Sequence, residues 1–152
     1  MKLVAIILPC HNCKTVNRLV LSEESRNKPR CGSCGTVLLE YSIVTGFVYV
    51  LTNPAFPGVL KIGFTTRSVE SRIAEFNSAT AVPAPFEIVA YYSSHDPKKD
   101  ERTVHLALDS CRAPGKEFFA IKPKQALDLL TEVLGRRPIY LHDKLFNLAE
   151  EK

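Results

Sequence analysis

Two Cys-x-x-Cys pairs, Cys10-His11-Asn12-Cys13 and Cys31-Gly32-Ser33-Cys34, are separated by 17 residues near the start of the chain. No other feature limits so strongly the folds open to this sequence. A Cys-x-x-Cys turn sets two thiolates ~3.5–4 Å apart, the edge of a tetrahedron whose zinc–sulfur bonds are ~2.3 Å. Two such turns brought together by a short hairpin close a four-thiolate shell, and the spacing matches the zinc pattern. Gly32 and Gly35 are expected to supply the backbone freedom these turns need. Roughly 40 residues bury little core, so the metal should contribute most of the folding free energy, ~10–16 kcal/mol in comparable peptides. A redox dithiol normally comes as one Cys-x-x-Cys at a helix start, and four merely buried thiols would not need matched spacing. Cys10, Cys13, Cys31 and Cys34 are therefore the expected ligands of a structural Zn²⁺. His11 is a spare candidate, and Cys111 reads as core.

The longest apolar run, Leu3 to Leu8, is far short of the ~20 residues of a membrane-spanning helix. It lacks the length and small-residue cleavage site of a signal peptide, and reads as a buried strand. No membrane is expected as a partner. A reducing compartment, the cytoplasm by default, favours thiolate–metal bonds over disulfides. Apolar residues make up 45% and charged residues 24% of the chain, which permits a packed core. The formal net charge of +4 suits a polyanion without demanding one.

Composition shifts near Tyr41 to Gly46, so a zinc ribbon over 1–43 is expected to precede a main domain over 46–135 and a helical extension over 136–152. In the main domain Gly46 to Leu51 and Val59 to Phe64 read as two strands around the turn-rich segment Asn53 to Gly58. Ser68 should cap a helix whose Val69, Arg72, Ile73 and Phe76 share one face. Phe86 to Tyr92 is a third strand. A second helix opens at Asp96-Pro97, with Val104, Ala107, Leu108 and Cys111 as its buried stripe. Glu117 to Ile121 is a short fourth strand, and Pro123 to Leu134 a helix ending at Gly135. The tail allows one more helix, Lys144 to Glu150. No internal repeat is read. The fold class is α+β, with a mostly antiparallel sheet flanked by helices and the four-cysteine ribbon in front.

Several polar residues fall where packing alone would not put them. Arg72 lies on the apolar face of its helix, so its guanidinium must reach past core toward a cleft or partner. Glu101 and His105 are neighbours at i,i+4 on the second helix. Lys61 lies between Leu60 and Ile62, and Tyr49 between Val48 and Val50. Singly each has an ordinary structural reading, since Lys and Arg snorkel and Tyr fills cores.

Together, Phe47-Val48-Tyr49, then Lys61-Ile62-Gly63, then Arg72 resemble the GIY-YIG nuclease superfamily, in the phage and bacterial DNA-binding branch with a Lys-Ile-Gly second motif. Val59 to Arg67, Asn77 to Thr80, Glu101 to His105 and Glu117-Phe118-Phe119 extend the resemblance over about Gly46 to Leu130. It implies a nuclease-like domain in which Glu101 holds one Mg²⁺ or Mn²⁺ that clamps a phosphate oxygen. Arg72 would hold the scissile phosphate, and Tyr49 would take a proton from the attacking water, helped by nearby positive charge. Gly63 would allow close approach, His105 and Glu117 would orient water or metal, and Arg67 would join Gly63 and Glu117 in binding substrate. Lys61 stands where the superfamily's second motif has tyrosine, as a phosphate-binding substitute, a general base, or the mark of a domain that grips DNA without cutting it. The front segment, through Cys13 to Arg18 and Cys31 to Gly35, resembles the short ribbon of zinc-bearing thioredoxins, which leaves its own partner, protein or nucleic acid, open.

Three functional expectations follow: a metal-dependent DNA endonuclease hydrolysing phosphodiester bonds, a non-cleaving DNA-binding module of the same fold, or a zinc-ribbon adaptor for a protein.

Overall fold

The computed structural model describes residues 3–22, 28–41, 43–79 and 82–144. The chain forms two compact units, Met1–Ile43 and Val44–Lys152. Among the described residues no helix is long and apolar enough to cross a membrane.

The first unit is built on an antiparallel ribbon of β1 (Leu3–Pro9) and β2 (Val16–Ser22), in register from Leu3 opposite Ser22 to Pro9 opposite Val16. The first cysteine pair forms the tip of this hairpin. The second forms the tip of a tighter turn closed by an Arg30–Val37 bridge. The two tips are the same structure used twice. The Cys10 N–H donates to the Thr15 carbonyl and the Cys31 N–H to the Thr36 carbonyl, both at 2.8 Å. The Lys14 and Gly35 N–H groups donate back to the carbonyls of Cys10 and Cys31, both at 2.9 Å. The sequence does contain a repeat, Cys-x-x-Cys-x-Thr-Val, too short to stand out without this pairing. The left-handed residue of each turn follows its second cysteine: Lys14 at φ 63° and Gly35 at φ 71°. Of the two glycines expected to supply backbone freedom, Gly35 is the one in the left-handed region, and Gly32 is not.

The expectation of a buried first strand is also corrected. Leu3, Ile7, Val16 and Val20 share one face of the ribbon and are 58%, 64%, 63% and 65% exposed. β-branched and apolar residues favour the extended backbone, but a two-stranded ribbon has no second layer within its own hairpin to bury both faces.

The second unit is α+β. β3 (Gly46–Thr52), β4 (Leu60–Thr65), β5 (Glu87–Ser94), β6 (Phe118–Phe119) and β7 (Tyr140–Leu141) form one antiparallel sheet in the order β6-β4-β3-β5-β7. α1 (Val69–Ser78) lies on one face with Tyr49, Leu51 and Phe86. α2 (Pro97–Ala107) and α3 (Pro123–Leu134) cover the other through Val104, Leu108, Leu127 and Leu130. The expected order of strands and helices is present, and the capping chemistry explains its boundaries. Ser68 Oγ accepts from the Ser71 N–H at 3.2 Å, Asp96 Oδ1 from the Lys99 N–H at 3.1 Å, and α3 closes on left-handed Gly135.

Four details differ from expectation. α2 ends at Ala107 and is followed by a 3-10 turn, Asp109–Cys111, so Ala107 is exposed and Cys111 only half-buried while Val104 and Leu108 fill the stripe. The strand expected over Glu117 to Ile121 shrinks to two residues, which pair with Lys61 and Leu60 of β4 on one side and bridge to Arg112 on the other. β7, whose apolar run Ile139-Tyr140-Leu141 is only three residues long, adds an edge to β5. Beyond Lys144 the expected tail helix lies outside the described residues.

Candidate functional site

The cysteine quartet is the simplest part of the site to test against a metal. Cys10 Sγ lies 3.6 Å from Cys34 Sγ, and Cys13 Sγ 3.6 Å from Cys31 Sγ. All four sulfurs fall within 4.8 Å of one another. Those separations suit the ~3.8 Å edge of a tetrahedron with ~2.3 Å metal–sulfur bonds. The turns also prepare the charge. Cys34 is pulled down to about 6 by the Thr36 hydroxyl and backbone N–H. Cys31 is lowered by the N–H groups of Cys34 and Ser33. The Cys13 N–H likewise lowers Cys10, but burial and the adjacent thiols hold that group up, so metal binding must release its proton. The donor set and spacing fit a structural metal such as zinc. His11 is exposed and stands outside the quartet.

In the second unit the chemistry gathers around β4. Tyr49 on β3 is opposite Gly63 on β4, and its ring lies over the glycine. A Cβ at Gly63 would come 2.6 Å from the Tyr49 hydroxyl and 2.8 Å from Cζ. The space expected to admit backbone or substrate is therefore occupied by the phenol. The Arg72 guanidinium on α1 lies close enough to the Tyr49 hydroxyl to favour its ionised form. Burial pushes the phenol up to about 12; Arg72 works against that shift, while the charges of Glu117 and Glu101 add to it.

Lys61, on the same face of β4, is almost fully enclosed. Its ammonium is ion-paired with Glu117 and sits 5.1 Å from the ring centres of both Phe76 and Phe118. Arg72 stacks on Phe76 at 4.5 Å, one helical turn away, and its Nη1 donates to Glu75 Oε2 at 3.0 Å. Glu75 also receives Arg67 at 2.6 Å and is held below the usual carboxylate range by Arg67 and Arg72. Phe76, Phe118 and Glu75 were not anticipated as parts of this site. The i,i+3 and i,i+4 spacings of Glu75 and Phe76 from Arg72 were the available signal.

α2 brings the remaining groups to the edge of β4. The Ile62 N–H donates to the Glu117 carbonyl at 2.9 Å, while its own carbonyl accepts from His105 Nε2–H at 2.8 Å. That bond fixes the tautomer. Glu101 lies one turn back, 3.7 Å from His105 Nε2, with 14% of its side chain exposed. Burial raises its pKa, His105 opposes, Glu117 raises it further and Lys61 opposes. Asp100, beside it in sequence, is tied to Arg136 and to Ser94 on β5, which fixes the first turn of α2.

Tyr49, Lys61, Arg72, Glu101, His105 and Glu117, drawn from five parts of the chain, are thus linked around β4 by the Tyr49–Gly63 contact, the Lys61–Glu117 pair, the Phe76 ring shared by Lys61 and Arg72, and the His105 bonds to Ile62 and Glu101. Arg67 stays at the rim, 60% exposed. Asn77 is a structural clamp, with its amide bonded to both the N–H and the carbonyl of Phe86; Thr80, beyond it, is outside the described residues. Among the described residues the cysteine quartet is the one group of three or more His, Cys, Asp or Glu spaced for a metal. Glu101 would offer a hard cation a single carboxylate, to be completed by water and substrate oxygens.

Comparison with known proteins places this second unit. A family model, the T5orf172 domain, matches residues 46–134. Uncharacterized protein YeeC of Bacillus subtilis (strain 168) is 42% identical over 79 residues, 45% of this chain and 21% of that protein. "Putative KilA-N domain-containing protein 315L" of Invertebrate iridescent virus 6 is 37% identical over 84 residues, 53% of this chain and 35% of that protein. The chain therefore spans only about a fifth to a third of the curated relatives it matches. No solved structure matches it.

These findings correct the resemblance to the GIY-YIG superfamily, because the family matching the same stretch is T5orf172. The departure was visible at Lys61, where that superfamily's tyrosine is replaced by a cation locked to Glu117. The likeness of residues 1–43 to the ribbon of zinc-bearing thioredoxins finds no support either and is set aside. With more than half its length matched by one family model, the chain belongs to the T5orf172 domain family.

Proposed function

We propose that the T5orf172 unit binds DNA and hydrolyses its phosphodiester bonds at the cluster around Gly63, while residues 1–43 hold a structural zinc through Cys10, Cys13, Cys31 and Cys34. The observation that carries this reading is the convergence of Arg72, Tyr49 and Glu101 on one partly buried spot. Membership of the T5orf172 family and likeness to a KilA-N domain-containing protein support a DNA-binding or nuclease-like role. Arg72 exchanges its contact with Glu75 for a phosphate, whose two oxygens match the guanidinium fork. Tyr49, held protonated by burial, donates a hydrogen bond that orients the phosphate or the attacking water, rather than accepting a proton itself. Lys61, fixed between two rings, stabilises negative charge that builds on the phosphate. Glu101, whose ion-pair partner among the described residues is His105, would hold Mg²⁺ or Mn²⁺, which supplies Lewis acidity and a more acidic bound water. His105 sets the height of Glu101 through its bond to Ile62. Gly63 contributes room for Tyr49, and Arg67 and Glu117 flank the path of the strand.

The test is incubation of the pure protein with supercoiled plasmid and Mg²⁺ or Mn²⁺. The wild type should nick it, and Glu101→Gln and Arg72→Ala should not. Nicking that survives Glu101→Gln would sink the assignment of that carboxylate. A second reading, DNA binding without cleavage, is favoured by the Lys61–Glu117 lock and by the high pKa of Tyr49. It predicts gel-shifted complexes that weaken steeply with salt and no nicking with any divalent cation. A protein that binds no DNA at low salt leaves the adaptor reading.

A further inference from the structure

Beside the charged cluster lies an apolar cavity of about 240 Å³ lined by Phe56, Val59, Ala113, Pro114 and Phe118. Its walls come from the β3–β4 loop and the loop leading into β6. Phe56 and Phe118 meet edge to face, with ring centres 6.2 Å apart at 70°. This leaves Phe56 41% exposed, an unusual amount of uncovered aromatic surface for a residue that lines a hollow. Gly115 lets the Phe118 ring stand where it does: its φ is +109°, and a Cβ there would lie 2.9 Å from Phe118 Cδ2.

We propose that this cavity receives one unpaired nucleobase of the DNA strand whose phosphate lies at Arg72 and Glu101. The inference rests on the DNA reading above and names the form of substrate that reading leaves open. Two observations support it. The cavity borders the charged cluster through one residue, since Phe118 lines the cavity and its ring centre lies 5.1 Å from the Lys61 ammonium. A base and its own phosphate need just this arrangement, a flat apolar slot one ring away from fixed positive charge. The lining offers aromatic surface and almost no hydrogen-bonding side chains, which suits stacking on any base rather than reading one. A paired base cannot enter, so the cavity favours single-stranded, mismatched or flipped nucleotides.

The experiment compares two short duplexes, in buffer without divalent cation so that neither is cut. One carries a single 2-aminopurine opposite an abasic position, and the other is the same duplex fully paired. The wild type should bind the first at least ~5-fold more tightly, the lower end of what one base stacked on an aromatic ring contributes, and should quench the 2-aminopurine. The ratio should fall toward one in Phe56→Ala and, independently, in Ala113→Phe, which fills the cavity from its other wall. Equal binding of both duplexes by the wild type, or a preference that survives both variants, overturns the nucleobase site while leaving the DNA reading intact. Failure to bind either duplex at low salt removes the DNA reading, and this inference with it.

Discussion

Gly63→Ala should damage this protein, although alanine in a strand interior is ordinarily an improvement. Replacing glycine inside a strand with alanine gains roughly 0.5–1 kcal/mol because the unfolded chain loses less freedom. Here the new methyl would lie 2.6, 2.8 and 3.1 Å from Tyr49 Oη, Cζ and Cε2. Tyr49 is 1% exposed and has Phe76 edge-on at 6.3 Å, so its ring has little room to retreat. Overpacking of this kind costs ~1–3 kcal/mol, leaving a net loss of about 1–2 kcal/mol. In a unit of roughly 100 residues that corresponds to a fall in Tm of about 5–15 °C. Calorimetry of the full chain measures it. The control is the Tyr49→Leu background, which removes the three opposing atoms. There Gly63→Ala should cost little or even stabilise, giving a coupling of about 1–2 kcal/mol between the two positions. The reasoning fails if Gly63→Ala is neutral in the wild type, or costs the same in both backgrounds.

The Lys61–Glu117 pair should respond asymmetrically. Glu117→Gln strands a cation whose side chain is only 10% exposed and should cost about 1–3 kcal/mol, below a fully buried pair because the Glu117 side is 41% open to water. Lys61→Met leaves a hydrated glutamate and an apolar chain between two rings, so urea denaturation should show a smaller loss. Tyr49 adds a pH dependence. Its folded-state value near 12 lies above its ordinary value of 10.0, so the protonated form favours the fold. The resulting ~2–3 kcal/mol is fully present below about pH 10 and lost as pH rises through 12. Tyr49→Phe should flatten this alkaline loss in denaturant titrations, and an unchanged profile would refute it. Chelation should release about one zinc per chain and expose residues 1–43 to protease while the transition of Val44–Lys152 persists, and Cys31→Ser should reproduce that pattern.

What could be read from sequence was whatever neighbours along the chain decide. The cysteine spacing pointed to a four-thiolate site because each turn is a local structure, whereas the 3.6 Å sulfur pairs, Cys10 with Cys34 and Cys13 with Cys31, join one turn to the other. Ser68, Asp96-Pro97 and Gly135 marked helix ends because caps satisfy backbone groups within three or four residues. Even so, strand propensity was mistaken for burial in Leu3–Pro9, since propensity reports the backbone and not what covers it.

The site itself was legible only as a set of unusual residues. That Tyr49 covers Gly63, that Phe76 and Phe118 enclose Lys61, and that His105 bonds the Ile62 carbonyl all depend on contacts between distant segments. Family motifs suggested roles for several of these residues but named the wrong family. The sheet order, the ion pairing of Lys61 with Glu117 and the aromatic cavity beside it were settled by packing. Side chains from separate elements acquire partners and shifted pKa values only when the folded sheet brings them together and removes the water between them.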